Sequence, residues 1–385
     1  MECRFCGGVT KQLCELRPMP LASDYRPEPS LDAPRYPVRL CGCDCGYVGL
    51  DHVIEPTCIY PGQGELCSQS SGLVQHLKEY AESLMLMIPP DATVLDIGAN
   101  DGTFLKFFQE AGRGAIAVEP SWVAANEARR KGILVYQGFF DEQAARWAEG
   151  IAGKPHLITA NRVWANVPDP AVFLENVKNV LHPDGLFVIE TGYLPDILDN
   201  MLVETIYHEH ISYDMVRPLA KLCQQKGMLL MDVVHVPMKG GSIRVFIRNG
   251  NSQRNYPLRE SGEFFAIVHK ETKWGLDPPW EHFQNRLEQE REEIRNMGWR
   301  KVCGYGAGVP GTALTFQLGL EDKLAWLIDD QPRHWGQYMP GTRLEVRGPE
   351  SLVESDGCII LAHRYAKQIK EKHPEYDKWL TPFQS

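Results

Sequence analysis

The sequence predicts an α/β protein with two doubly wound, Rossmann-like blocks that follow a small cysteine-rich segment. Strand patterns alternate with helix patterns along most of the chain, which is typical of a parallel sheet covered on both faces. Each block opens with a strand, a glycine-rich turn and a helix. Six of the eleven cysteines lie within the first 45 residues. Because 385 residues are long for one hydrophobic core, we expect two or three domains.

The composition is that of an ordinary globular protein, with 43% hydrophobic and 23% charged residues. This excludes a disordered chain, a collagen and a membrane bundle. The net charge of −10 argues against non-specific binding to nucleic acid or anionic lipid, so we expect neither partner. The first residues lack a secretory signal, and no apolar run is long enough to span a bilayer, which predicts a cytoplasmic protein.

The first block begins after residue 66, where a composition rich in Pro, Gly and Cys gives way to helical spacing. Two prolines end the first predicted helix. We predict helices over 72–87, 103–111, 121–131 and 171–180, and strands over 93–97, 115–119, 133–136, 156–160 and 186–190. Since these short apolar strands alternate with helices, they should lie parallel in one sheet.

The second block follows a charged helix predicted over 281–296. A strand over 301–305 leads into the turn Gly-Tyr-Gly-Ala-Gly-Val-Pro-Gly, a helix from Thr312, and a strand over 324–328 that ends at two aspartates. Such a turn raises the alternative of an NAD-linked oxidoreductase. Against it, the turn lacks the G-x-G-x-x-G order and has Pro310 where the helix should begin.

The glycine-rich turn of the first block, at residues 96–102, has the spacing Asp-x-Gly-x-x-x-Gly, and its acidic end would repel a phosphate. This suits S-adenosylmethionine, which has no phosphate and carries a cationic amino-acid part. Glu119 ends the next strand, where it is placed to accept both ribose hydroxyls. A glycine-containing turn without a ligand is the alternative, and the strand, the spacing and the second acid together favour the cofactor. The predicted cofactor-binding residues are Asp96, Gly98, Asn100, Gly102, Glu119, Pro120, Phe139, Phe140 and Asn161.

Two groups of cysteines predict a structural zinc site near the N-terminus. Cys3 and Cys6 form a knuckle followed by two glycines, which let backbone amides point at sulfur. Cys41, Cys43 and Cys45 form a less regular second group. A tetrahedral all-thiolate zinc needs four of these five, with Cys45 the firmer late ligand and Cys41 and Cys43 competing for the last place. The alternative is that these cysteines are simply buried thiols.

Tyr207, His208, Glu209 and His210 place four proton-transfer side chains in a row. The spacing is not the H-E-x-x-H pattern of metalloproteases. Since surface His and Glu are common, this tetrapeptide alone does not indicate catalysis.

Taken together, these features resemble the bacterial sugar C-methyltransferases that act at C-3 of TDP-linked 4-keto-deoxysugars, as in the tetronitrose and mycarose pathways. The resemblance extends over nearly the whole chain. It is carried by Cys-x-x-Cys-Gly-Gly at the start, Cys-Gly-Tyr-Val (45–48), LDIGANDGT (95–103), VPDP (167–170), YHEHISY (207–213), GGSIR (240–244), GYGA (304–307) and YMPGT (338–342).

The resemblance implies three parts: a zinc-binding domain over 1–66, an S-adenosylmethionine-dependent methyltransferase domain over 67–250, and a Rossmann-like domain over 251–385 that helps to bind the nucleotide-sugar. It also implies that the GYGAGVPG turn serves the substrate rather than NAD. In the implied mechanism His210 removes the C-3 proton, Tyr207 hydrogen-bonds the developing oxyanion, and Glu209 orients a neighbour or the sugar.

The chain departs from the family pattern where substrate should bind. Asn166 and Lys239 stand where the family usually has histidines, and no aromatic residue is evident near Cys67. The predicted substrate-binding residues are Asn166, Lys239 and Tyr305. We expect a monomer that acts on a small-molecule nucleotide-sugar.

Two alternatives remain besides the oxidoreductase. One is a methyltransferase that acts on another acidic carbon or on oxygen. The other is a zinc-ribbon interaction module for a partner such as nucleic acid, which the net charge and the lack of a basic stripe disfavour.

Overall fold

The computed structural model describes residues 1–60, 66–254, 256, 263–276 and 279–384, which contain three β-sheets. The strands are β1 (Thr10–Met19), β2 (Tyr36–Cys43), β3 (Val48–Leu50), β4 (Thr93–Ile97), β5 (Gly114–Glu119), β6 (Leu134–Gln137), β7 (Leu157–Asn161), β8 (Leu186–Gly192), β9 (Ser212–Tyr213), β10 (Met228–Val236), β11 (Ser242–Asn249), β12 (Val302–Tyr305), β13 (Leu324–Ile328), β14 (Val346–Arg347), β15 (Gly357–Ile360) and β16 (Trp379–Leu380).

The helices are α1 (Pro56–Ile59), α2 (Ser71–Met85), α3 (Thr103–Glu110), α4 (Trp122–Arg130), α5 (Glu142–Ala152), α6 (Pro170–Val180), α7 (Leu194–Asp199), α8 (Val216–Gln225), α9 (Glu263–Leu276), α10 (Trp280–Asn296), α11 (Val309–Leu318) and α12 (Ala366–Lys372). Short 3-10 turns lie at Cys67–Gln69, Trp164–Asn166, Val203–Thr205, Met238–Gly240, Pro332–His334, Pro349–Glu354 and His363–Tyr365.

The central sheet has seven strands in the order β10-β11-β8-β7-β4-β5-β6. The five predicted strands, β4 to β8, pair in parallel. The sequence analysis did not predict the antiparallel hairpin of β10 and β11, which pairs with β8 and extends one edge. Buried apolar residues cover both faces of this sheet, as parallel strands require.

The C-terminal sheet has the order β14-β13-β12-β15-β16 and all its pairs are parallel. Helix α11 begins at Val309, three residues before the predicted start at Thr312. Pro310 fits the first turn because the N–H groups there have no partner within the helix. The position of this proline therefore does not separate the two turn types.

The N-terminal sheet, β1-β2-β3-β9, includes a strand from the central part of the chain. Arg17 of β1 also exchanges two hydrogen bonds of 2.9 Å with the Gln317 side chain of α11. One apolar core joins residues of all three parts, among them Leu40, Leu198 and Phe316. The cysteine-rich segment thus packs against both of the other parts of the chain. The domain boundaries at 66 and 250 remain a prediction.

Within the described ranges, none of the helices combines the length and the apolar character that crossing a membrane would need.

Candidate active site

The cofactor turn lies between β4 and α3, at the carboxyl edge of the central sheet. Gly98 has φ +70°, and a Cβ there would lie 2.3 Å from a methyl of Val163. Gly102 has φ +73°, and a Cβ there would lie 3.1 Å from side-chain atoms of Ala128 and Ile133. Only glycine satisfies both the left-handed backbone and the close approach at Gly98. The turn is therefore closed over by the loop that follows β7.

Glu119 ends β5 beside this turn. One carboxylate oxygen accepts a hydrogen bond from the Asn100 amide and the other from the Ser121 amide, both at 2.8 Å. Burial raises the pKa of Glu119, and the two amide hydrogen bonds oppose that shift. Each oxygen keeps a second lone pair, so the carboxylate can still accept the two hydroxyls of a ribose.

Asp96 and Asn161 meet at the ends of β4 and β7. Asp96 Oδ1 accepts from the Thr159 hydroxyl at 2.6 Å and from Asn161 Nδ2 at 3.2 Å, and burial raises the pKa of Asp96 to about 7. Asn161 Oδ1 is buried, and no partner for it lies within the described residues. An unsatisfied acceptor beside a carboxyl group fits the ammonium group of a bound amino acid.

The two predicted adenine-side phenylalanines have different surroundings. Phe139 is 41% exposed and meets Tyr60 edge to face, with ring centroids 6.1 Å apart. Phe140 packs against Phe173 in the core at 5.2 Å. Pro120 is partly buried directly after Glu119. Phe139 is thus the ring that has a free face for stacking.

His210 is held in a defined tautomer. Its Nδ1 lies 2.9 Å from the carbonyl oxygen of Thr205, which can only accept, so Nδ1 carries the proton and Nε2 the lone pair. The Tyr207 hydroxyl donates to Nε2 at 3.2 Å. Burial lowers the pKa of His210 to about 4, the Thr205 carbonyl opposes this, and the charges of Arg162 and Arg364 add to it. The imidazole is therefore neutral near pH 7, as a general base must be.

The other two members of the tetrapeptide face the N-terminal part. His208 lies with Nε2 3.2 Å from the carbonyl of Pro37 and packs edge-on against Tyr36. Glu209 is partly buried, which raises its pKa to about 7, and a hydrogen bond with Ser23 opposes the shift. His208 fastens the segment to β2, and Glu209 is available as a neighbour of the site.

Asn166 donates a hydrogen bond of 2.8 Å to the hydroxyl of Tyr60, and its own buried Oδ1 has no partner among the described residues. Tyr60 is therefore an aromatic residue beside Asn166 that the sequence analysis did not name.

The remaining predicted substrate residues do not join this group. Tyr305 is buried in the C-terminal core, and its hydroxyl donates to Asp330 at 2.6 Å and lies 2.9 Å from His373 Nε2. Lys239 has its backbone in the turn Met238–Gly240, and its side chain lies outside the described part. Their roles remain predictions.

The loop after β7 links the cofactor turn to the histidine segment. The Ile211 amide donates to the carbonyl of Ala165 at 2.8 Å. Asp214, buried behind the loop, accepts from Trp164 Nε1 at 3.0 Å and from the Thr191 hydroxyl at 2.8 Å. The sequence analysis missed both Asp214 and the loop residue Arg162, because a lone acid or arginine outside a motif gives no signal.

Four of the five candidate zinc ligands come together. The Sγ atoms of Cys3, Cys6, Cys43 and Cys45 all lie within 4.8 Å of one another. Cys41 lies outside this group and is buried in β2. A strand rises about 3.3 Å per residue, so Cys41, two residues from Cys43, lies about 7 Å further along the strand. Of the two alternatives, the geometry selects Cys43.

Two family models match most of the chain. Residues 73–230 match a model described as a methyltransferase domain, and residues 237–384 match one described as a C-methyltransferase C-terminal domain.

Among curated proteins, the C-methyltransferase NovU of Streptomyces niveus is 26% identical over 391 residues, which cover 97% of this chain and 92% of that protein. Among solved structures, the mitomycin 7-O-methyltransferase MmcR is 16% identical with a TM-score of 0.38, and the match covers 47% of this chain and 55% of MmcR. Magnesium protoporphyrin IX methyltransferase of Synechocystis PCC 6803 is 14% identical with a TM-score of 0.36, over 49% of this chain and 89% of that one. The family models and the curated relative, read with the site geometry, identify the chain as an S-adenosylmethionine-dependent C-methyltransferase.

Proposed function

We propose that this enzyme methylates C-3, the carbon next to the ketone, of a nucleotide-linked 4-keto-deoxysugar through an enolate. The observation that carries the proposal is the tautomer of His210, whose Nε2 lone pair is held beside the Tyr207 hydroxyl by the Thr205 carbonyl. A neutral imidazole is suited to remove the proton that a neighbouring ketone acidifies. The loop that packs on the cofactor turn also hydrogen-bonds the residue after His210, which supports a shared site for base and cofactor.

The residues have separate tasks in this reaction. His210 takes the C-3 proton on Nε2, a step that general-base catalysis typically speeds about 10²–10⁴-fold. Tyr207 then donates its hydroxyl proton in a hydrogen bond to the negative oxygen, and Glu209 orients the sugar. Asn166 and Tyr60, hydrogen-bonded to each other, border the sugar on the side of Phe139.

Asp96, Asn161 and Glu119 would bind S-adenosylmethionine through its ammonium group and ribose hydroxyls. When bound, this cofactor supplies the methyl group on a positively charged sulfur. The acids at both strand ends complement that positive charge. Val163, which packs on Gly98, would cover this side of the cofactor turn.

The C-terminal part would bind the nucleotide end of the substrate. A cleft of about 500 Å³ is lined by three cationic side chains, Arg364, Lys367 and Lys370, together with His363 and one acid, Glu371. Arg364 also lowers the pKa of His210 through its charge, which supports a position of this cleft close to the base. A diphosphate in the cleft would add to the partners of these cations, with the sugar directed toward His210.

Mass spectrometry after incubation with S-adenosylmethionine and a panel of 4-keto nucleotide-sugars tests the proposal. We expect one sugar to gain 14 mass units, and NMR to place the methyl on C-3. The same sugar should exchange its C-3 proton in D₂O without the cofactor. A methyl on oxygen, with no exchange, would establish the alternative of an O-methyltransferase.

We also propose that Cys3, Cys6, Cys43 and Cys45 bind one structural zinc ion. Neighbouring thiolates are 3.5 and 3.6 Å apart, and a tetrahedron with Zn–S bonds of about 2.3 Å requires about 3.8 Å. Gly8 leaves room for this packing, because a Cβ there would lie 3.3 Å from Cys6 Sγ. With four sulfurs present, no position stays open for catalysis.

Elemental analysis of two serine variants tests the zinc proposal. We expect Cys43→Ser to bind less than one equivalent of zinc and to melt at a lower temperature. Cys41→Ser is the matched control, since Cys41 lies on the same strand outside the group, and it should keep one zinc per chain. Equal zinc loss in both variants, or none in either, would refute the four-thiolate site.

A further inference from the structure

Arg162 has an unusual backbone at the edge of the active site. It follows Asn161 at the carboxyl end of β7 and has φ +60°, in the left-handed region that residues with a Cβ rarely adopt. Its amide donates to the carbonyl of Glu190 at 2.8 Å, which fixes this conformation. Strained backbone of this kind persists where the surrounding structure holds it in place, often at functional sites.

The neighbours of Arg162 belong to both halves of the site. The next residue, Val163, packs on Gly98 of the cofactor turn. Three residues after Arg162, the carbonyl of Ala165 accepts a hydrogen bond from the amide of Ile211, which directly follows His210. Arg162 therefore belongs to the loop that contacts both the cofactor turn and the segment of the general base, and its charge lowers the pKa of His210.

The guanidinium group of Arg162 has no hydrogen bond or ion pair within the described chain. The side chain is partly buried, and burial lowers its pKa, although a guanidinium stays charged in proteins. Glu190, whose charge acts on Arg162, is already engaged: His76 Nε2 lies 2.9 Å from it, and Arg244 donates to it at 2.6 Å. Five N–H donors and one positive charge are thus unmatched in a partly desolvated place.

We propose that Arg162 stabilises the enolate oxygen of the substrate, as a catalytic residue of the reaction under "Proposed function", on which this inference rests. The reacting carbon must lie between His210 and the methyl group, and the ketone oxygen is attached to the adjacent carbon. When the proton leaves, the negative charge is shared between C-3 and this oxygen, and most of it develops on the oxygen. The diphosphate is attached at C-1, two carbons from C-3 on the side away from the ketone.

The bonds balance as follows. His210 Nε2 takes the C-3 proton, the C–H electron pair forms a double bond between C-3 and C-4, and the carbonyl π pair moves onto oxygen beside Arg162. When C-3 bonds to the methyl group, the ketone re-forms, and the S–C bond breaks with its electron pair on sulfur. The proton leaves His210 for water. No oxidant or reductant is needed.

Arg364 has a different position from Arg162. It lines the cleft proposed for the diphosphate, and its Nε lies 3.0 Å from the buried carboxylate of Glu204. The two arginines therefore divide the anionic groups of the substrate, with Arg162 at the sugar and Arg364 toward the nucleotide.

The test compares Arg162→Met and Arg162→Lys with Arg295→Met, an exposed arginine of α10 that serves as the matched control. C-3 proton exchange in D₂O, measured by NMR without S-adenosylmethionine, reports enolate formation. We expect Arg162→Met to lose about 10²–10³-fold in exchange rate and in kcat, with KM changed less than threefold. Arg162→Lys should recover part of both rates, because the charge returns without the fork of donors.

Two further measurements separate the possible failures. Affinity for TDP should be the same in all variants, so a loss of TDP binding with unchanged exchange would show that Arg162 contacts the diphosphate and would overturn the proposal. Wild-type exchange rates in Arg162→Met would overturn it as well. If the wild-type enzyme exchanges no 4-keto sugar at C-3, the proposed function fails first. Arg162→Lys, which keeps the charge and length, covers the case in which Arg162→Met does not fold.

Discussion

The two glycine-rich turns of this chain are held by the same pattern of hydrogen bonds between backbone amides and a carboxylate. In the first, Glu119 accepts the amides of Asn100 in the turn and of Ser121 two residues on, both at 2.8 Å. In the second, Asp329 accepts the amide of Ala307 in the turn at 3.0 Å and that of Gln331 two residues on at 2.9 Å. An acid at the end of the second strand thus pins each turn, whatever the turn does next.

The turns differ in what lies against them. The first has an acceptor without a partner, Asn161 Oδ1, which points to a ligand. The second is filled by the chain itself: the Gly308 amide donates to the Tyr25 hydroxyl at 2.9 Å, and Tyr25 also lies 3.0 Å from the Thr312 hydroxyl. Burial raises the pKa of Tyr25 to about 12. A local pattern therefore predicts the turn but not whether it binds a cofactor, and the filled turn argues against the NAD-linked alternative.

The largest effect is expected from a comparison of two histidines, His210 and His373. Each lies within hydrogen-bond distance of a tyrosine hydroxyl. His210→Asn should lower kcat about 10²–10⁴-fold and leave S-adenosylmethionine affinity unchanged, because His210 acts on the substrate. Steady-state kinetics and calorimetric titration measure the two effects. His373→Asn, beside Tyr305, is the control and should keep its turnover. Equal losses in both variants would contradict the separation.

The two acids provide the next comparison. Glu119→Ala should weaken S-adenosylmethionine binding at least tenfold, because a hydrogen bond to a charged group contributes about 1.5–3 kcal/mol. Asp329→Ala removes the same backbone contacts from the second turn and should lower the melting temperature without changing cofactor affinity. Calorimetry and thermal melts decide the matter, and cofactor loss in Asp329→Ala would show that the second turn takes part in binding.

A smaller effect is expected from the glycines. At Gly98 an added Cβ clashes with Val163, and φ is +70°, so Gly98→Ala should displace the loop and weaken cofactor binding, though less than Glu119→Ala does. Gly308 has φ +99° and nothing within 4 Å of an added Cβ. Gly308→Ala should therefore cost only the backbone term of about 1–2 kcal/mol and keep its cofactor affinity. Denaturant unfolding and titration with the cofactor measure the two variants. Equal losses of cofactor affinity would contradict the difference between the turns.

Tyr25→Phe should have the smallest effect. It removes one hydroxyl from the second turn and leaves the partly exposed Gly308 amide to water, at a cost of about 0.5–1.5 kcal/mol. A lower midpoint of unfolding, with unchanged methyl transfer, is the expected outcome. NAD(H) binding by the variant would mean that the turn retains a dinucleotide site which Tyr25 covers.

Much of the site was predictable because it depends on short-range geometry. Asp96, Glu119 and Asn161 each lie at the carboxyl end of a parallel strand, and these ends meet at one edge of a sheet. The strand limits at 93–97 and 324–328 agree with the prediction, because apolar runs bounded by turns give a strong signal. The sequence analysis did not predict the strand pair β10 and β11, because its place in the sheet depends on pairing with the distant strand β8.

The unpredicted parts all depend on contacts between distant segments. The role proposed for Arg162 depends on two distant contacts: Glu190 is bound by Arg244, and the loop of Arg162 hydrogen-bonds Ile211. Tyr60 is recognisable only beside Asn166, which lies 106 residues away in sequence. No local pattern contains such a pairing.

By itself, the sequence determined the class of the protein: two α/β blocks, a cofactor turn with its acids, a proton-transfer tetrapeptide and a cysteine-rich start. These follow from spacing, burial periodicity and residue chemistry, which act over a few residues. Only the tertiary structure decided that Cys43 rather than Cys41 joins the thiolate group, that His210 presents Nε2, and that Tyr25 fills the second turn. Each of these depends on where a side chain points relative to residues far away in the chain, and packing of the whole molecule sets that direction.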